Sequence, residues 1–153
     1  MGEGRSMGVD YGERRVGIAL SDPLGIIAGG LESIHWQGKD NSKVLERIAE
    51  ICADYDVQRI ILGLPRRTDG LVGSSELMVR EFAEKLTEKT GLEVIFADER
   101  YTTVLATRIM QEANIKREKR RSVVDQIAAE IILQSWLDQQ RNNLLEQREE
   151  NDA

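Results

Sequence analysis

Three acidic residues far apart in the chain share one kind of setting, each beside a stretch that should be buried. Asp10 stands in MGVDYG, where an apolar strand meets a Gly-rich turn. Glu99 stands in FADERYTT, just past the apolar run 93–97, and Asp125 stands in SVVDQIAAEIILQSWL, one turn into an amphipathic helix. An unpaired carboxylate in such a place is costly. Carboxylates brought together repel unless a proton or a cation lies between them, and hard divalent metals are the usual answer. If Asp10, Glu99 and Asp125 converge, they can hold one or two Mg²⁺ or Mn²⁺ ions, with water and a substrate phosphate completing the shell. That is the chemistry of phosphodiester hydrolysis.

Each acid also has a simpler reading. Asp10 could accept backbone hydrogen bonds in the turn before Gly12, and Glu99 could pair with Arg100 or serve as a first-turn helix acid. Ser122 to Asp125 fits the [ST]-x-x-[DE] capping box. Against that last reading, Asp125 shares a helical face with Ala128, Ala129, Ile132 and Trp136, and the small alanines let the helix approach a sheet closely. Other nucleophile systems are lacking. His35 beside Trp36 reads as a packing or surface histidine, Cys52 as an inert core thiol, and the chain has no zinc spacing, P-loop or GxGxxG. For phosphate contact the candidates are Lys116, Arg117, Lys119, Arg120 and Arg121 in a basic loop just before Asp125. To these we add Arg66 and Arg67 after a strand end, and Arg100 and Thr102 in DERYTT. Aromatic residues make up 5% of the chain, too few for a base-stacking platform, so recognition would rest on backbone shape and charge.

Strands are expected over 7–10, 15–20, 31–36, 60–64 and 93–97, and helices over 42–55, 75–89, 103–113 and 122–140. The first two strands form a hairpin through Gly12. The unbroken run Ile60 to Leu64, closed by Pro65, reads as a strand buried on both faces, followed by a flexible Gly-containing loop; Gly91 should end the second helix. Three strands followed by alternating helices and strands imply an α/β domain with a mixed sheet flanked by helices. Sites in such sheets gather at the carboxyl ends of strands, where Asp10 and Glu99 both lie.

At 153 residues, with 41% hydrophobic and 31% charged, the composition is that of an ordinary single globular domain. No apolar run approaches a membrane span, no signal-peptide stretch precedes the first strand, and one cysteine suits a reducing compartment, so the expected location is the cytoplasm. A net charge of −6 argues against bulk electrostatic binding of nucleic acid. Part of that charge, however, lies in the tail (Glu146, Glu149, Glu150, Asp152), which reads as polar and disordered from 141 to 153, leaving 1–140 as the domain.

The segments GVDYGERRVGIALSDPLG, IILGLPRRTDG, FADERYTT and KRRSVVDQIAAEIILQSWL together resemble the YqgF/RuvX family of Holliday-junction-resolvase-like proteins and pre-16S rRNA nucleases. They span nearly all of residues 7–138. The resemblance implies an RNase H-like fold with Asp10, Glu99 and Asp125 as its carboxylate triad, and a metal-dependent endonuclease maturing ribosomal RNA or resolving four-way DNA. One departure is Arg66-Arg67-Thr68, where many relatives have an uncharged pair before Asp-Gly; this could alter the grip on substrate. The partners implied are nucleic acid, with pre-rRNA favoured over branched DNA, and a ribosomal precursor particle. Monomer and homodimer both stay open, and symmetric incision of a junction would require the dimer. A non-catalytic RNA-binding module is the alternative of a different class. An actin-like ATPase, which also begins D-x-G after a strand, needs two such domains and is too large for this chain.

Overall fold

In the computed structural model of the chain, residues 4–101 and 117–152 are described. Among the described residues five strands form one mixed sheet in the order β3-β2-β1-β4-β5. Strands β1 (Arg5–Tyr11), β2 (Arg15–Ser21) and β3 (Ala28–His35) make an antiparallel meander. Strand β4 (Val57–Leu64) runs parallel to β1, and β5 (Glu93–Asp98) runs parallel to β4. Helices α1 (Ser42–Asp54) and α2 (Ser74–Thr90) contribute to one core, and α3 (Arg117–Asp152) to a second.

The period-2 alternation of strand side chains divides these two cores. Met7, Val9, Val16, Ile18, Ile60 and Leu62 pack with the apolar stripes of α1 and α2. On the other face Ala19 and Ile61 meet Ala128, Ala129, Ile132 and Leu133 of α3. The run Ile60 to Leu64 is buried throughout, as expected of a strand covered on both faces. Strand β5 differs from expectation: it lies at the sheet's edge and is intermediate or exposed along its length. Gly91 ends α2 as expected. It adopts φ +70°, and its N–H reaches the carbonyl oxygen of Thr87 at 2.8 Å.

Two readings of the C-terminal third are corrected. The basic stretch from Arg117 to Arg121 is helical rather than a loop. Asp125 therefore lies about two turns into α3, and Ser122 does not begin a capping box. The tail expected to be disordered instead continues the helix to Asp152. No Gly or Pro interrupts 117–152, and the exposed end is rich in Leu, Glu, Gln and Arg, all good helix formers. The expected helix over 103–113 lies outside the described residues, as do Thr102 and Lys116. Among the described residues no helix is long and apolar enough to cross a membrane.

Candidate active site

Asp10 sits near the end of β1, opposite Gly17 of β2, and is only 6% exposed. Alternation turns it, with Gly8, to the face that α3 covers. A Cβ on Gly17 would lie 2.0 Å from the carbonyl oxygen of Asp125 and 3.1 Å from its Cβ. Helix α3 therefore rests directly on the β2 backbone at the position paired with Asp10. On the other side of β1, Val9 pairs with Leu62, which brings Gly63 one step further along, beside Asp10. Oε1 of Glu99 lies 2.9 Å from where a Gly63 Cβ would stand. Two glycines thus flank Asp10, and the space beside each is taken by one of the other two acids. Glu99 gets there because it opens the short 3₁₀ turn Glu99–Tyr101 that leaves the end of β5.

Proximity of positions is not the same as gathering of carboxylates. Oδ2 of Asp125 accepts a 2.8 Å hydrogen bond from Nε of Arg15, the first residue of β2 on the same face. Among the described residues no three His, Cys, Asp or Glu side chains are drawn together as a metal-holding group. The donor set itself fits a hard divalent ion, since it is oxygen-only and includes a buried carboxylate. His35 is exposed, and Cys52 is buried with α1, so neither is drawn to the acids.

The three arginines near the ends of β4 and β5 form a network with acids. Arg66 has Nε 3.8 Å from Oε1 of Glu76 and Nη1 3.8 Å from Oδ2 of Asp98. Nη2 of Arg100 donates to Asp98 at 2.7 Å, and Nη1 donates to the carbonyl of Arg67 at 3.3 Å. Arg67 pairs with Asp69. The Arg100 guanidinium holds the Asp98 carboxyl below its ordinary value, and Arg67 does the same for Asp69. The side chains of Arg117, Lys119, Arg120 and Arg121 lie outside the described residues, although their backbone begins α3. Sequence reasoning missed Arg15, Glu76, Asp98 and Arg80 as members of this end of the molecule. Only Arg15, in the R-x-G that follows the Gly12 turn, carried a local signal.

A cavity of about 420 Å³ opens beside Tyr11, Trp36 and Phe82, with Lys39, Glu81 and Lys85 among its lining. Tyr11 and Phe82 belong to the core built by α1 and α2, on the opposite face of the sheet from Asp10.

A family model described as RuvX: Holliday junction resolvase matches residues 4–139. A protein of Acetivibrio thermocellus named "Putative pre-16S rRNA nuclease" is 47% identical over 135 residues, covering 88% of this chain and 95% of the relative. One of the same name from Agathobacter rectalis is 46% identical over 142 residues, covering 91% of this chain and 98% of the relative. Among solved structures, T. thermophilus RuvC in complex with a Holliday junction substrate aligns with TM-score 0.54 at 13% identity, over 91% of this chain and 96% of that one. The likeness to RuvC is one of fold, and it agrees with the expected α/β, RNase H-like architecture.

Proposed function

The chain belongs to the RuvX family, and from that premise we propose that it is a metal-dependent endonuclease processing the 5′ end of pre-16S rRNA in the cytoplasm. The observation that supports the reading is that Asp125 and Glu99, far from Asp10 in the chain, lie against Gly17 and Gly63, the two glycines that flank Asp10 in the sheet. In this reading Asp10 and Asp125 would hold the cation, and Glu99 would serve as a further ligand or orient the attacking water. A bound Mg²⁺ or Mn²⁺ would polarise the phosphodiester and ease deprotonation of water. The reaction is hydrolysis: water adds to phosphorus, one P–O ester bond breaks, and the leaving oxygen takes up a proton. Arg15 keeps one oxygen of Asp125 engaged and so orients that carboxylate over β2. Arg66, Arg67 and Arg100 would face the substrate backbone from the ends of β4 and β5, with Thr102, Lys116 and the basic start of α3 (Arg117, Lys119, Arg120, Arg121) proposed as further phosphate contacts.

The family description favours a second reading, a resolvase of four-way DNA, which requires a dimer for symmetric incision. One experiment separates the two. Purified protein is given Mg²⁺ or Mn²⁺ with a precursor small-subunit rRNA fragment or a four-way junction, and Asp10→Asn serves as control. Discrete RNA products that fall at least about 100-fold in the variant, the scale on which one transition-state-stabilising group is felt, support rRNA processing. Nicking of the junction alone moves the assignment to resolvase. Full activity in Asp10→Asn removes the triad, and binding without cleavage of either substrate leaves a non-catalytic module.

A further inference from the structure

Glu76 is an odd residue to find where it is. It lies in the first turn of α2, is 3% exposed, and is enclosed by two guanidiniums. Its Oε2 accepts from Nε of Arg80 at 2.9 Å, while Oε1 lies 3.8 Å from Nε of Arg66. A buried ion pair of this kind is generally no more stable than apolar residues of the same volume, so stability alone gives no reason for a carboxylate here. What the carboxylate does achieve is to hold two otherwise flexible arginines in place. Arg80 is held a second time by the ring of Phe96, whose centroid is 5.2 Å from its guanidinium carbon. Arg66 is held a second time by Asp98, the residue immediately before Glu99.

We propose that Glu76 is a positioning residue that sets Arg80 and Arg66 as a phosphate clamp on the α2 face of the sheet, with Arg66 reaching Asp98 next to Glu99 and Arg80 a backbone contact for the nucleic-acid strand. The proposal rests on the nuclease reading above. Arg80 gives its Nε–H to Glu76, and the Nη donors of a guanidinium suit a phosphate bidentately. Both arginines are accessible, Arg66 at 42% and Arg80 at 45% exposure. Within the network itself Arg66, Arg80 and Arg100 meet Glu76 and Asp98, three cations to two anions. Arg66 touches both acids and so joins the α2 side of the clamp to the turn that carries Glu99.

The test is binding, measured in the Asp10→Asn background so that turnover does not intervene, with the rRNA fragment and the four-way junction as probes over a range of salt. Arg80→Gln should weaken binding roughly three- to tenfold and lower the slope of log affinity against log salt by about 1. Glu76→Gln separates positioning from charge. Removing an acid near a phosphate site should tighten binding if Glu76 acts only through its charge. The clamp predicts weaker binding with the salt slope kept, in a protein that still melts cooperatively. Tighter or unchanged binding by Glu76→Gln, or an unchanged slope in Arg80→Gln, overturns the clamp and leaves the nuclease reading standing. Failure of the background protein to bind either probe overturns both. Arg80 is an exposed residue, so its variant keeps the test decisive even if Glu76→Gln does not fold.

Discussion

Asp98 and Cys52 show how neighbours decide what a side chain can do. The Arg100 guanidinium lowers the carboxyl of Asp98 below its unfolded value. The pair therefore stabilises the fold above the ordinary carboxylate range, near about pH 4. That contribution is lost as pH falls through this range toward the folded value. Asp98→Asn should therefore cost stability at neutral pH, by about 1 kcal/mol or less for one partly exposed pair, and nothing in strong acid. Urea midpoints at the two extremes check this, and an equal loss at both would contradict it. Cys52 is moved the other way: burial pushes its thiol from 9.0 up to about 11. That rise makes the thiolate roughly 100-fold scarcer, so a thiol reagent should label the native protein at least that much more slowly than the unfolded chain. Comparable rates in buffer and in urea would show Cys52 to be accessible.

Among the elements, the contact between α3 and the sheet matters most, because it sets how far Asp125 stands from Asp10. Gly17 admits the backbone of α3, and a methyl group there meets a carbonyl rather than a side chain able to swing away. Gly17→Ala should cost about 1–3 kcal/mol or more in chemical denaturation. Gly29→Ala, with nothing within 4 Å of its Cβ position, should be close to neutral. Equal effects would mean that α3 does not ride on this strand. The helix face of Ala128, Ala129 and Ile132 could be read from spacing alone. The register that puts it over Gly17 could not, because it depends on a contact between residues more than a hundred positions apart. The capping-box reading failed at this same scale: Ser122-Val123-Val124-Asp125 matches a start signal, but the favourable helix formers upstream extend the helix past it.

For the whole molecule, α3 extends well past the sheet that it covers. Residues 141–152 are exposed and helical, joined to the body by the Arg141–Asp138 pair and by continuity with the packed turns before them. Truncation after Gln140 should leave global stability within about 0.5 kcal/mol and lower only the helical signal, which circular dichroism and a thermal melt would read. A large drop in melting temperature would mean that the tail packs against something.

The order of the described strands and helices, the two-faced burial of β4 and the Gly91 stop were legible in the chain. They depend on periodicity, propensity and turn chemistry, which act over a few residues. The strand order β3-β2-β1-β4-β5 and the edge position of β5 were not legible, and neither were the partners Arg15, Arg80, Glu76 and Asp98. Those depend on which distant segments meet, and local patterning is silent on that. The sequence by itself therefore determined the local elements and the candidate acids that they carry. Only the tertiary structure decided which cations stand beside them, because the pairings are made across strands and helices rather than along them.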